Sequence, residues 1–511
     1  MRSARSLPFP AVASRAFALI GVLAFVPPLE AQNDLQVFHG LLHGHSSFSD
    51  GSGTPAEAFA AARQAGLDFF AVTEHNHPQA GGDDGVFLTT PLYEELKRSA
   101  DDHTEDGSFV AIYGQEVSSI SKGNHVNVFN SSTIVDVDNG DFRDLYDRYL
   151  PEHPEVTLVQ LNHPNARRDL SSSTDADERN NDYGIDDYNQ SFPALLEASG
   201  RWVALIELII GPAFGSATDK PHHDGRHEED YLFYLNQGFR LGPSAGQDNH
   251  RRNWGTSTHA RVGVWAAELT RAGILDALAA RRTFASEDET IAVRLRAGDT
   301  WMGGTVALPA GTEARLELDV ADADEPDAAY TASLFYDEAI AGAEARIVDV
   351  ATFTGDRRHT FVHAPQFGGY YFVRLQQRSD DEAVADDIWT APIWITELAP
   401  DHDDPGEEHN DEGDIPWQDA PDFIGREKVV TGRIVDAFNA GQALFLNFDL
   451  DFRNSLTLVV FDDDFAEFGG ADELVQRVLG KDVRVEGTIS RFRGRTQMIL
   501  RQAEQLLAVE P

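Results

Sequence analysis

The stretch that decides the fold is Val37–Leu42, followed at once by His43-Gly44-His45-Ser46-Ser47-Phe48-Ser49-Asp50-Gly51. An apolar run of strand length here ends in two histidines and an aspartate. A helix signal comes next, with Thr54 as N-cap, Pro55 in the first turn and Gly66 at the end. Six more apolar runs alternate with helix-like segments: Phe69–Thr73, Phe109–Tyr113, Val126–Phe129, Val156–Leu161, Val203–Ile209 and Phe239–Ser244. This alternation predicts an α/β fold with a parallel sheet or a barrel, and seven strands over residues 35–290 suit a closed or distorted (β/α)7 barrel.

Residues that can bind metal ions accompany most of these strands. They are His43, His45 and Asp50 after the first strand, Glu74 and His75 at the second, Glu116 at the third, His125 before the fourth, His163 after the fifth, and Asp248 and His250 after the seventh. The carboxyl ends of strands meet on one side of a barrel or an open α/β sheet. Imidazole and carboxylate are ligands for zinc, manganese and iron alike. The sequence therefore predicts a divalent metal site at this end of the strands.

Composition excludes several other kinds of chemistry. The 511 residues contain 85 acidic and 41 basic side chains, a formal charge of −44, so diffuse electrostatic binding of nucleic acid is disfavoured. A phosphate-bearing substrate would need a local positive centre, which bound metal ions can supply. The chain has no cysteine, which excludes disulfides, thiolate metal sites and cysteine nucleophiles.

The ends of the barrel sequence are marked by changes in composition. Residues 1–31 combine three arginines, a short apolar run and a small residue before Gln32, the pattern of a secretory signal peptide. We therefore expect a periplasmic or secreted protein with no membrane attachment after cleavage; an uncleaved anchor is the alternative. Residues 291–398 alternate like the strands of a β-sandwich. Residues 399–421 form an acidic linker, which we interpret as solvated rather than as a calcium site.

The last segment, residues 422–511, has the strand order of an OB-fold, five strands with a helix at Ala471–Leu479 between the third and fourth. It resembles the OB modules appended to secreted bacterial nucleases. Arg491, Phe492, Arg493 and Arg495 could form a basic and aromatic platform for single-stranded nucleic acid. A structural or protein-docking role is the alternative, because several aspartates lie close by in sequence.

Taken together, the strand-end motifs resemble the polymerase and histidinol phosphatase (PHP) superfamily of metallohydrolases. The motifs are His43-Gly44-His45, Ser49-Asp50-Gly51, Thr73-Glu74-His75-Asn76, Gly114-Gln115-Glu116, His125, Asn162-His163-Pro164 and Asp248-Asn249-His250. They cover roughly residues 35–290. One departure is Glu74, where the family usually has aspartate; that acid is not normally a direct ligand. A barrel passing directly into a β-sandwich is similar to the carbaryl hydrolase branch of the superfamily.

The resemblance implies a distorted seven-stranded barrel that binds two or three divalent ions. The first ion would be held by His43, His45, Glu116 and Asp248. Glu116 would bridge to a second ion held by His125 and His163, and a third would use Asp50, His75 and His250. Glu116 and Asp248 would then be catalytic, and Arg167, beside Arg168, could bind a phosphate oxygen.

The function implied is metal-dependent hydrolysis, with a metal-bound hydroxide as nucleophile at a di- or trinuclear site. A phosphoesterase acting on a small-molecule or oligonucleotide phosphoester is the leading interpretation, with nucleotides or nucleic-acid fragments as substrates. A carboxylester or carbamate hydrolase with the same ions is the first alternative. A non-catalytic binding protein is the second.

Overall fold

The computed structural model describes residues 35–77, 86–117, 125–164, 183–185, 187–189, 191–215, 225–309, 311–337, 345–365, 369–378, 385–397, 414–439, 443–449, 456–492 and 495–510. The signal-peptide prediction for residues 1–31, Arg167 and Arg168, and most of the acidic linker lie outside these ranges. Within them, no helix is both long and apolar enough to cross a membrane.

All seven strands expected in the first unit are present in the described chain, together with three more. In chain order the elements are β1 (Gln36–Leu41), α1 (Pro55–Gln64), β2 (Phe69–His75), α2 (Thr90–His103), β3 (Val110–Val117), β4 (Val126–Phe129), α3 (Phe142–Asp144), a π-helical turn (Leu145–Tyr149), α4 (Leu150–Glu152), β5 (Val159–Leu161), α5 (Phe192–Ser199), β6 (Val203–Ile210), β7 (Gly225–Arg226), α6 (Glu228–Asn236), β8 (Gly242–Gly246), β9 (Arg261–Ala266), α7 (Arg271–Ala279) and β10 (Thr283–Ser286). Helix α1 begins as the sequence predicts, because Thr54 and Glu57 form a capping box.

These strands form a mixed sheet rather than a uniformly parallel one. The order is β9-β1-β2-β3-β4-β5-β6, with β8 beside β6. Strand β4 runs antiparallel to both neighbours, whereas β1, β2 and β3 are parallel, as are β5, β6 and β8. Because β4 is reversed, its first residues lie at the same end of the sheet as the last residues of β3.

Strands β1 and β8 approach each other without forming a ladder. The backbone N–H of Leu42 donates to Ala245 O at 3.2 Å, and that of His45 donates to Asn249 O at 3.1 Å. Antiparallel β9 occupies the edge of β1 along residues 36–40, which leaves only the end of β1 for β8. A closed seven-stranded barrel therefore stays a prediction, while the contacts between β1 and β8 bring their following loops together.

The next segment adds ten strands: β11 (Ala292–Ala297), β12 (Thr300–Trp301), β13 (Thr305–Leu308), β14 (Ala314–Ala321), β15 (Ala329–Asp337), β16 (Arg346–Thr354), β17 (Arg357–His363), β18 (Tyr370–Arg378), β19 (Asp386–Thr390) and β20 (Ile393–Glu397). Strands β12-β11-β14-β17 form a separate four-stranded sheet, and the other six extend the large sheet. The two layers share one buried core, to which Leu295, Leu318, Leu334 and Leu375 contribute.

The large sheet runs without a break from the first unit into the second. Strand β10 pairs antiparallel with β19, through Phe284–Thr390 and Ser286–Ile388. Trp389 and Phe372 accordingly pack in the hydrophobic core of the first unit. The large sheet thus contains strands from both sides of the boundary predicted at residues 290 and 291, which itself lies between β10 and β11.

The C-terminal unit is built from β21 (Ile415–Pro416), a 3-10 helix (Trp417–Phe423), β22 (Glu427–Arg433), β23 (Asp436–Asn439), β24 (Ala443–Asn447), β25 (Thr457–Phe461), a 3-10 helix (Asp462–Phe468), α8 (Ala471–Val478), β26 (Asp482–Phe492), β27 (Arg495–Ile499), a 3-10 helix (Ala503–Gln505) and β28 (Leu506–Glu510). Its strands form their own sheet around a third core. Arg501 forms an exposed ion pair with Glu197 of α5. The OB-fold assignment stays a prediction.

Candidate metal centre

Nine candidate ligands come together at one end of the mixed sheet. His43 and His45 follow β1, His75 ends β2, Glu116 lies near the end of β3, and His163 follows β5. His125 precedes the reversed strand β4, so it reaches the same end, where Asp50, Asp248 and His250 also lie. The structure thus places all nine predicted ligands in one pocket. Arg167 lies outside the described residues.

The innermost group joins His43, His45, Glu116 and Asp248. His43 Nε2 lies 3.2 Å from Glu116 Oε1, 3.3 Å from Asp248 Oδ1 and 3.2 Å from His45 Nε2. His45 Nε2 lies 3.4 Å from Glu116 Oε2 and 2.9 Å from Asp248 Oδ1. The two histidines and Glu116 are fully buried.

These spacings fit the donors around a single small cation. Ligand distances of about 2.0–2.2 Å put neighbouring donors about 2.8–3.6 Å apart around an octahedral or tetrahedral ion. The five edges measured here run from 2.9 to 3.4 Å. His43 Nε2 and His45 Nε2 also face each other, an arrangement suited to two lone pairs directed at one centre. The residues present therefore fit a divalent ion.

Glu116 is the hub of the pocket. Its carboxylate lies within 3.4 Å of a nitrogen of each of five histidines: His43, His45, His75, His125 and His163. The ligand atoms of His75, Glu116 and His125 form a second compact group. His163 Nε2 lies 3.2 Å from Glu116 Oε1, so the bridge predicted for Glu116 has donors on both sides. The second compact group contains His75, whereas the resemblance assigns His163 to the second ion.

A third group contains Asp50, His75 and His250, together with His45. Asp50 Oδ2 lies 3.1 Å from His250 Nε2 and 3.7 Å from His75 Nε2. Asp50 is 16% exposed and His163 is 28% exposed, whereas the innermost histidines are fully buried. The partly exposed donors are thus Asp50, His125, His163 and Asp248.

The pKa shifts differ between these donors. Burial disfavours protonation of His43, His75, His163 and His250, but the neighbouring carboxylates raise the pKa of each, so a metal ion would displace protons from them. Burial, with the charges of His75 and His250, lowers the pKa of His45 to about 4, so its imidazole is neutral at neutral pH, the form that binds metals. Burial alone would raise the pKa of Glu116, but His43, His125 and His75 hold it well below its usual value. The pKa of Asp248 is lowered in the same way by His43 and His45. Both carboxylates are thus ionised and available as ligands.

The charge of the pocket also calls for cations. Asp50, Glu74, Glu116, Glu207 and Asp248 bring five carboxylates into it. Among the described residues, no lysine or arginine lies within 4.0 Å of any of them. Divalent ions bound here would bring positive charge next to these carboxylates.

Two further buried carboxylates contact the candidate ligands or the loop between them, without belonging to the three donor groups. Glu74 accepts from the backbone N–H of Ser46 at 3.0 Å and from the hydroxyls of Ser46 and Ser49. It therefore orders the loop between His45 and Asp50, in agreement with the expectation that this acid is not a direct ligand. Sequence reasoning missed the second carboxylate, Glu207. Its signal was a lone acid inside the apolar strand Val203–Ile210.

Comparisons with known proteins place the chain only coarsely. A family model described as a protein of unknown function (DUF3604) matches residues 222–315. No curated protein matches the chain. Among solved structures, a two-domain protein from Bacteroides vulgatus containing a predicted PHP-like metal-dependent phosphoesterase is similar at 16% identity and a TM-score of 0.37, over 68% of this chain and 92% of that one.

An amidohydrolase from Chromobacterium violaceum, solved with bound sulfate and no metal, is similar at 15% identity and a TM-score of 0.23. That similarity covers 42% of this chain and 87% of the other. TM-scores this low carry no argument about chemistry. The case for a metal centre therefore rests on the geometry of the donors themselves.

Proposed function

We propose that this chain is an exported, metal-dependent hydrolase that cleaves phosphoesters. The observation that carries the proposal is the carboxylate of Glu116, buried among five imidazoles at ligand spacing. Divalent ions bound there would supply an activated water molecule and positive charge for the phosphoryl oxygens. Of the metals that suit His and carboxylate donors, we propose zinc, manganese or iron.

The protein residues have separate tasks in this reaction. Glu116 and Asp248 hold negative charge at the centre of the donor set, and the buried imidazoles exclude bulk water around them. Asp50 and His163 are partly exposed, which would let a substrate approach the ions beside them. An anionic substrate would be repelled by the five carboxylates alone, so its binding depends on the ions.

An exposed aromatic ring beside the third donor group favours substrates with a planar group. Phe214 is 67% exposed and its ring stacks on His250, with centroids 4.3 Å apart and an interplanar angle of 25°. Stacking on an exposed aromatic side chain contributes about 1–3 kcal/mol per nucleic acid base. This ring supports the proposal of nucleotides or nucleic-acid fragments as the substrate class.

A carboxylester or carbamate hydrolase is the second candidate. The observation that favours it is the layout, in which the sheet that carries the site continues through β10 and β19 into a two-layer β unit. The same donor set would serve either reaction, because activated water attacks a carbonyl carbon as well as phosphorus.

A substrate panel on protein reloaded with zinc, manganese or iron tests these proposals. The panel contains a phosphomonoester, a phosphodiester, a carboxylester, a carbamate and a short oligonucleotide. Turnover of a phosphoester above the others, abolished by chelation and restored by the metal, is the expected result. Preference for the carboxylester or carbamate would instead support the second candidate function. No turnover by ion-loaded protein would favour a binding protein.

A further inference from the structure

Glu207 touches two candidate ligands that come from different strands. It lies in β6 and is fully buried. Its two oxygens lie 3.1 and 3.4 Å from His43 Nδ1, and its Oε2 accepts the backbone N–H of His163 at 2.8 Å. Gly246 on the neighbouring strand β8 faces it so closely that any Cβ there would overlap Glu207 Oε1. The carboxylate therefore occupies a closely fitted position behind the ligands.

The contact with His43 decides which imidazole nitrogen faces the pocket. A carboxylate beside Nδ1 stabilises the tautomer with its proton on Nδ1, which leaves the Nε2 lone pair free. That Nε2 is the atom 3.2 Å from Glu116 and from His45. Glu207 thus aims His43 at the innermost group without entering that group itself.

The contact with His163 acts on the backbone. His163 has a φ of +30°, a left-handed conformation that residues other than glycine adopt only when the surroundings hold them there. The hydrogen bond from its N–H to Glu207 ties this strained turn to β6. The conformation of this turn sets the direction of the His163 side chain, whose Nε2 lies 3.2 Å from Glu116 Oε1.

We propose that Glu207 is a positioning residue that couples the first and second ion sites, because one carboxylate orients His43 of the first and His163 of the second. The proposal rests on the metal binding of the proposed function, with His43 at the first ion and His163 at the second as the resemblance implies, but not on any particular reaction. It predicts that disturbing Glu207 weakens both ions together, although Glu207 binds neither.

The test uses two measurements on the full-length chain. The first is the affinity of the ion-free protein for Zn²⁺, measured by chelator competition, and the second is the visible absorption of the Co²⁺-loaded protein. Glu207→Gln keeps the size of the side chain and its fit against Gly246. Its amide can still accept from one donor but turns an NH2 group toward the other. Loss of such a supporting residue typically costs 10- to 100-fold in metal affinity. We expect losses of this size at two sites and an altered Co²⁺ spectrum.

Glu287→Gln is the matched control. Glu287 is also a buried glutamate, 5% exposed, whose carboxylate pairs with Arg226 and accepts from the backbone N–H of Asp387. This variant should unfold more easily while its Zn²⁺ affinities stay unchanged. Glu207→Asp retains the charge on a shorter side chain and should recover part of the lost affinity, which a purely steric defect would not allow.

Unchanged Zn²⁺ affinities in Glu207→Gln would overturn the proposal, and so would a loss confined to one site. If Glu207→Gln does not fold, Glu207→Asp provides the same comparison, with wild-type affinities again counting against coupling. Ion binding by wild-type protein without turnover of any substrate would refute the proposed hydrolase while leaving the role of Glu207 intact.

Discussion

Replacing the hub carboxylate, Glu116→Gln, should remove more ion affinity and more activity than any other single ligand change. The structure sets the scale. Glu116 lies within 3.4 Å of five histidine nitrogens, and its two oxygens face different donor groups. Glutamine has the same size but loses the charge and one ligand oxygen. Two unit charges about 4 Å apart interact by about 4 kcal/mol at an effective dielectric constant of about 20, and the interaction with a divalent ion is larger, so the loss in ion affinity should be at least about a thousandfold.

The assay is metal content after dialysis against a weak chelator, followed by kcat/KM on the best substrate of the panel. Two ions should weaken together in Glu116→Gln. In Asp50→Asn the loss should be confined to one ion, because Asp50 belongs to the third group alone. Glu105→Gln, an exposed carboxylate paired with Arg63, is the control and should behave as wild type. Retention of two tightly bound ions by Glu116→Gln, or a smaller defect than that of Asp50→Asn, would refute the bridging role.

Three further expectations concern Phe214 beside the donor groups, Asp288 between β10 and β11, and the C-terminal unit. Phe214→Ala should raise KM for a nucleotide or aryl phosphoester more than for an alkyl one; equal changes would remove the ring from substrate binding. Burial, with the charge of Asp322, raises the pKa of Asp288 to about 6. The protonated carboxyl therefore makes its whole contribution to the free energy of unfolding below about pH 4, and this contribution is lost as the pH rises through 6. Asp288→Asn should therefore add at most about 3 kcal/mol at neutral pH and abolish that dependence in urea unfolding; an unchanged pH profile would contradict it. Truncation at about residue 400 should spare small substrates and slow polymeric ones, since tethering raises local concentration. Equal loss on both would show that the C-terminal unit shapes the active site.

The candidate ligands could be predicted because each one lies in or near the end of a recognisable strand. His43 and His45 directly follow an apolar run, and the ends of parallel strands converge whatever the rest of the fold does. The same reasoning applies to the reversed strand β4. Because it runs in the opposite direction, His125 lies before it and still reaches the same end of the sheet. The pattern of histidines and acids along the chain was therefore enough to bring all nine side chains into one pocket.

What the sequence did not reveal depends on contacts between distant residues. Glu207 is a single acid in an apolar strand, and only the packed structure shows that His43 and His163 meet it. The pairing of β10 with β19 joins segments about a hundred residues apart, and no local pattern marks it. The left-handed turn at His163 is held by its surroundings, not by a glycine, so composition gave no hint of it.

The most direct test of the central claim is elemental analysis of the purified chain, before and after reloading with zinc, manganese or iron. The geometry of the pocket predicts two or three divalent ions per chain, with at least one lost in each of His43→Ala and Asp248→Ala. Protein that holds no divalent ion after reloading, with its fold intact by circular dichroism, would contradict the metal centre and the hydrolase built on it.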